Sequence, residues 1–185
     1  MEKSIEKKIV ECLANGDTAE DMSKKIHYSQ RRAYSKVSNA FNCNYKQLIT
    51  YWRLSTVLDL VHNHGCSVVS AVPTAYKNSG TGAYYEEINS QGLKGNVKAQ
   101  KLFLDAMMLY KEIADAGKPI PLKETSFPGR RHLIWLLRHK YNLRLLSKPG
   151  CGYFISLDQD DIRKCEMWIM RWRISAGVTP AYLKM

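Results

Sequence analysis

Residues 16–41, GDTAEDMSKKIHYSQRRAYSKVSNAF, contain two short amphipathic stretches separated by a tight polar break. The acidic residues of this segment, Asp17, Glu20 and Asp21, lie at its front, and all of its basic residues follow them. Asp17 or Thr18 is expected to cap the first helix, because both side chains accept hydrogen bonds from free backbone N–H groups. Ser29 has the same role before a second helix, which is predicted from residue 30 to about residue 42 with the buried positions Ala33, Val37, Ala40 and Phe41.

Helical patterns flank this segment on both sides. Apolar residues recur at helical spacing in residues 4–14, and Asn15-Gly16 is a typical helix C-terminus. A longer pattern covers residues 45–64. Together the four patterns predict a helix-turn-helix, in which the helix after the sharp turn enters the DNA major groove. The alternative is a structural four-helix bundle whose arginines are solvated.

The side chains of this predicted recognition helix suit DNA. Arginine bridges guanine O6 and N7, whereas glutamine and asparagine pair with adenine. Lysine and serine bind phosphate oxygens. We therefore expect base contacts from Arg31, Arg32 and Asn39, phosphate contacts from Lys24, Lys25 and Lys36, and further DNA-facing positions at Ser29, Gln30 and Ser35.

Positive charge is concentrated in two blocks of the chain. The formal net charge is +11 over 185 residues. Residues 22–58 contain seven Lys or Arg and no acidic residue, and residues 126–157 contain six Lys or Arg and no acidic residue. A solvated face usually mixes both signs, so this segregation predicts two basic surfaces and a polyanionic partner.

The second basic block has the order of a winged helix. A helix is predicted over residues 129–141, followed by two strands, residues 143–147 and 152–156, around a Pro-Gly turn. A last helix is predicted over residues 161–173. The cations assigned to DNA here are Arg130, Arg131, Arg138 and Lys140 on the helix, with Arg144 and Lys148 on the wing. The alternative is a helix packed on a hairpin with a solvated basic rim.

The predicted fold class is mainly α with one short β-hairpin. Its predicted divisions are a helix-turn-helix domain at 1–64, a central helical and linker region at 65–122, and a winged-helix-like domain at 123–185. Within the centre, residues 66–72 are expected to be extended, residues 77–85 to form turns, and residues 97–117 to form a helix. Residues 118–122 are expected to be an extended linker.

Enzyme chemistry has little support in the sequence. It contains no HExxH, Walker A or GxSxG motif, and its five cysteines include no CxxC pair. We expect reduced thiols, no cofactor, no metal, no membrane span and a cytoplasmic location. Trp168 and Trp172, four residues apart, are expected to pack inward; the alternative is an exposed stripe with Met167 and Met170 that forms a partner surface.

The first basic segment resembles the LuxR/GerE-type helix-turn-helix domain, with the pattern L-A-x-G-x-[ST]-x-x-x-I-A-x-x-L-x-[IV]-S-x-x-T-V-x-x-H-x-x-N-I. The resemblance covers residues 5–55. It implies a DNA-binding domain with Ser29 as the cap of the recognition helix, and dimerisation through QLITYWRL at residues 47–54. The residues at or close to the pattern are Leu13, Ala14, Gly16, Thr18, Met22, Ile26, Tyr28, Ser29, Val37 and Asn39.

Residues 130–156 also look like small wing domains in phage-encoded DNA-binding proteins. The function expected from the whole sequence is sequence-specific binding of double-stranded DNA by a transcriptional regulator, phage or mobile-element encoded, acting as a homodimer. Two alternatives stay open. One is a small basic protein of the anti-defence type that binds and inhibits a host protein or nucleic-acid enzyme, and the other is an RNA or replication accessory protein.

Overall fold

The computed structural model describes residues 5–77 and 79–175. The described chain is mainly helical, with one two-stranded antiparallel sheet near its C-terminal end. This confirms the predicted fold class. Among the described residues, no helix combines the length and the apolar character needed to cross a membrane.

The first four helices follow the predicted order. Thr18 caps α2 in a capping box with Asp21, whose carboxylate accepts from the Thr18 backbone N–H. Ser29 caps α3 by accepting from the Arg32 N–H at 3.4 Å. Asn42, in the left-handed conformation at φ 58°, ends α3. The bounds are α1 Ile5–Asn15, α2 Ala19–Lys25, α3 Gln30–Phe41 and α4 Tyr45–His62.

Two predictions for the centre are wrong. The stretch expected to be extended forms α5, Val68–Ala75, because Ser67 caps it and its buried Ala71 and Val72 pack against α4. Capping and burial outweigh the strand preference of its valines. The predicted turns after it become α6, Gly80–Ser90. Its Tyr84 and Ile88, four residues apart, form the buried stripe of that helix.

The C-terminal part contains the predicted helix and hairpin. After α7, Val97–Ala116, a 3₁₀ turn at Leu122–Glu124 leads to α8, Arg131–Trp135, which continues as a π-helical turn at Leu136–Lys140. The hairpin strands are β1, Leu146–Lys148, and β2, Gly152–Phe154, and α9 is Gln159–Ser175. Ile120, expected in a linker, instead pairs with Tyr153 through two backbone hydrogen bonds of 2.9 Å.

A continuous hydrophobic core extends through all three predicted segments of the chain. It runs from Ile9 in α1 to Leu157 after the hairpin. Tyr110 of α7 lies fully buried at its centre, in edge-on contact with Phe41 of α3 and Trp52 of α4. The helix-turn-helix and the hairpin segment therefore share one core through α7.

The long helix α4 is enclosed by its own chain. It packs against α1, α5, α6 and α7. Of its residues, all described, Lys46 alone is exposed. The resemblance implied dimerisation through this helix, but its apolar side chains are used in the core of the protomer.

A half-buried lysine beside this core makes stability depend on pH. Lys111 of α7 lies with its ammonium 5.3 Å from the centre of the Trp52 ring. Burial lowers its pKa to about 8, although Asp59 and Asp115 oppose that shift. Between about pH 8 and pH 10 the unfolded chain keeps the proton that the native protein has lost. Stability from this group therefore rises with pH in that window.

We expect Lys111→Met to stabilise the protein by about 2 kcal/mol at pH 7, because the cost of burying the ammonium disappears. That advantage should shrink toward zero by about pH 10. Urea unfolding of both proteins between pH 7 and about pH 10 measures the difference in their free energies of unfolding. Because tyrosines and cysteines ionise in both proteins, their contributions cancel in this difference. A difference that does not change with pH would contradict the prediction.

Candidate nucleic-acid interface

α2 and α3 pack together across a tight turn. Met22 and Ile26 on one side and Ala33 and Val37 on the other are buried at this contact. His27 in the turn has a positive φ of 59°, which reverses the chain direction within a few residues. Two helices joined by a tight turn are therefore present in this segment, in the predicted order.

One face of α3 is free for a ligand. Arg31, Ser35 and Asn39 follow one another at four-residue spacing and all are exposed. Gln30 is exposed at the first turn, and Lys36 is half-buried on the adjacent stripe. None of these five side chains has a hydrogen bond or ion pair with a residue that the structure describes.

Arg32 and the lysines of α2 have partners within the protein. The Arg32 guanidinium lies 5.0 Å from the centre of the Tyr28 ring, which holds it beside the turn. Lys24 pairs with Glu20 at 2.8 Å, and Lys25 pairs with Asp17 at 2.6 Å. Exposed ion pairs of this kind contribute about 0–1 kcal/mol, so phosphate can replace the carboxylates.

The second basic block contains three arginines held by protein groups and three exposed cations, of which Lys140 lies 5.5 Å from the centre of the Tyr141 ring. Arg130 pairs with Asp105 of α7 at 2.5 Å, and the Arg138 guanidinium donates to the Leu145 carbonyl. Arg144 lies 3.6 Å from Glu166 of α9. The remaining cations, which are exposed, are Arg131, Lys140 and Lys148.

Arg144 joins the two basic blocks. Its guanidinium donates to the Asn39 carbonyl, and its backbone N–H donates to the Phe41 carbonyl at 2.9 Å. Beside it the Asn42 amide donates to the Asn142 carbonyl at 3.1 Å and to the Asn142 side-chain oxygen at 2.9 Å. These contacts satisfy carbonyl groups at the C-terminal end of α3, so the loop before the hairpin is anchored to this end of the helix.

The sequence carried little sign of this connection. Asn42 and Asn142 both adopt positive φ, at 58° and 54°, which asparagine tolerates better than most residues. Their pairing joins positions 100 residues apart. Arg144 was assigned to DNA because it lies in an acid-free stretch, whereas its main contacts are with the protein.

The prediction that Trp168 packs inward is wrong. Its side chain is 45% exposed, and Met167 and Met170 are exposed beside it. α9 contacts β1 through the buried side chains of Ile162 and Cys165. The side chain of Trp172 lies outside the described residues. For Trp168, the structure therefore agrees with the alternative prediction of an exposed surface shared with Met167 and Met170.

The described residues show no group of three His, Cys, Asp or Glu that could hold a metal ion. All five cysteines are free, and Cys12, Cys43 and Cys165 are buried. Burial raises the pKa of the Cys12 thiol to about 11 and that of the Cys43 thiol to about 12. Both are therefore protonated at neutral pH, which makes them poor nucleophiles.

Comparisons with known proteins bring no further information on the site. No protein-family model, no curated protein and no solved structure matches the chain. The function must therefore be argued from the exposed face of α3 and from the distribution of charge.

Proposed function

We propose that this chain binds double-stranded DNA sequence-specifically through α3 and acts as a transcriptional regulator. The observation that carries the proposal is the exposed face of α3, which begins directly after a capped turn and lies in a stretch without acidic residues. The side chains on this face make no hydrogen bond or ion pair with the described protein, so they are available to a partner. Its arginine, glutamine and asparagine side chains match the donor and acceptor pattern of base edges.

In the proposed complex, each part of the motif has a role. With 12 residues, α3 is about 18 Å long, which suits a major-groove helix. Arg31 and Gln30 at its N-terminal turn reach base edges, and Asn39 extends the contact further along the groove. Lys24 and Lys25 at the end of α2 exchange their carboxylate partners for phosphates. The hydrogen bonds from Arg144 keep the far end of α3 in place during binding.

A dimer of this chain would recognise a palindromic DNA sequence, with one α3 in each half-site. Helix-turn-helix proteins commonly bind as dimers to half-sites one helical turn apart. Because α4 is enclosed in the protomer, the dimer contact is expected elsewhere on the chain. Selection from a pool of random-sequence duplexes tests both sequence-specific binding and dimerisation. An enriched palindrome would support both and give the half-site spacing. A pool without enrichment would contradict sequence-specific binding.

Arg31→Ala is expected to weaken binding to the selected duplex by about 1–3 kcal/mol, or about 5- to 150-fold, with a smaller loss on random duplex. The reason is that Arg31 reads a base, whereas phosphate contacts are shared by every sequence. Fluorescence anisotropy with both duplexes measures the two affinities. Lys98→Ala, which removes an exposed lysine from α7, is the matched control. Equal losses on both duplexes would contradict base readout by Arg31.

A further inference from the structure

A groove with a volume of about 970 Å³ lies between the 3₁₀ turn, α8, the hairpin and α9. Its walls carry several positive or titratable side chains and no Asp or Glu. An opening of this size accommodates a short segment of a polymer or a small molecule. The cationic and imidazole side chains that line it are Lys123, Arg131, Arg138, His139 and Lys148.

Arg138 lies half-buried in this groove without a counter-ion. Its Nε and Nη2 groups donate to the Leu145 carbonyl at 3.0 and 2.6 Å, and its guanidinium lies 5.6 Å from the centre of the Tyr153 ring. Burial lowers its pKa. No carboxylate among the described residues pairs with it. A guanidinium that burial partly desolvates and that no carboxylate neutralises makes the groove favourable for an anion.

Two aromatic rings share the groove with these cations. Tyr153 comes from β2 and Trp168 from α9, and the indole of Trp168 is 45% exposed. Duplex DNA keeps its bases stacked inside the helix, where a side-chain ring outside the duplex cannot stack on them. A single strand presents both its phosphates and its base faces, so it uses cations and rings together.

We propose that this groove binds single-stranded nucleic acid, with phosphates at Lys123, Arg131 and Lys148 and a base stacked on Trp168. The sequence assigned Arg131 and Lys148 to duplex phosphates because they lie in an acid-free stretch, and it gave Lys123 no role. The indole of Trp168 lies in the same groove as these cations, and an exposed ring can stack on a base of a single strand but not on a base inside a duplex. The groove is separate from the exposed face of α3, so this proposal holds whether or not α3 binds duplex DNA.

The test uses the full chain and fluorescein-labelled oligonucleotides of about 12 nucleotides, oligo-dT and oligo-U, at about 150 mM salt. Trp168→Ala is expected to weaken binding of the single strand about tenfold, as the loss of one stacked base does. Trp168→Phe keeps a ring and should retain most of the affinity. The matched control is Tyr85→Ala, because Tyr85 is an exposed aromatic residue of α6 that does not line the groove.

The two binding sites are separated by a cross-comparison. Arg31→Ala should leave binding of the single strand unchanged, and Trp168→Ala should leave binding of the duplex unchanged. Tighter binding of oligo-U than of oligo-dT would identify RNA as the source of the strand. Tighter binding of oligo-dT would identify DNA. Equal losses from Trp168→Ala and Tyr85→Ala, or no binding of either oligonucleotide, would overturn the proposal.

Discussion

Gly152→Ala is expected to lower the free energy of unfolding by about 3 to 5 kcal/mol, because a methyl group at this position has no space. A Cβ on Gly152 would lie 2.1 Å from the Ile120 carbonyl oxygen, which is fixed backbone. The φ of Gly152 is 110°, a value that side-chain-bearing residues rarely adopt. Steric overlap and backbone strain therefore act together.

Gly150→Ala is the matched control for this prediction. Gly150 lies two residues away in the same hairpin turn and also has a positive φ, 73°, but nothing lies within 4 Å of a Cβ there. Backbone strain alone should cost about 1 kcal/mol. Urea unfolding followed by circular dichroism compares both variants with the native protein. Equal losses in the two variants would mean that the close approach of Ile120 contributes nothing.

The same contact shapes the C-terminal groove. Tyr153 pairs with Ile120 through the two backbone hydrogen bonds that the absence of a Cβ on Gly152 allows. Pro121 and Leu122 follow directly and line the groove beside the hairpin. A side chain at position 152 would push these walls apart, so Gly152→Ala should also weaken any ligand held there.

The helices that could be predicted from the sequence are those with a local signal. Ser29 before α3 and Gly117 after α7 act as caps on their own helices, so neighbouring residues suffice to place the ends. α5 and α6 were missed because their valines and glycines favour other local structures. These helices form through burial against α4, which depends on residues distant in the sequence.

The candidate sites show the same division between local and distant information. The exposed positions of α3 follow from helical spacing once the cap is known. Arg130 and Arg144 differ, because their partners Asp105 and Asn39 lie 25 and 105 positions away in the sequence. A charge count cannot separate an arginine that binds a ligand from one that holds two helices together. The groove around Trp168 forms where the 3₁₀ turn, α8, the hairpin and α9 meet, so no short stretch of sequence predicts it.

Raising the salt concentration from about 50 to 200 mM is expected to weaken duplex binding about 100- to 1,000-fold. Cations that neutralise phosphates release condensed counterions, so the affinity falls steeply as salt rises. The first basic block supplies five exposed cations, Lys24, Lys25, Arg31, Arg32 and Lys46, and the half-buried Lys36. Four to six phosphate contacts would give a slope of log K against log salt of about −4 to −5.

Variants of single lysines then show which basic block contacts the duplex. Lys36→Ala should reduce the magnitude of the slope by about one, because one phosphate contact is lost. Lys148→Ala should leave the duplex slope unchanged and reduce the slope for the single strand instead, because Lys148 lines the groove. Anisotropy titrations of each variant at four salt concentrations measure both slopes. If Lys148→Ala reduced the duplex slope as much as Lys36→Ala, the hairpin would lie on the duplex together with α3, and a single-strand role for the groove would lose its support.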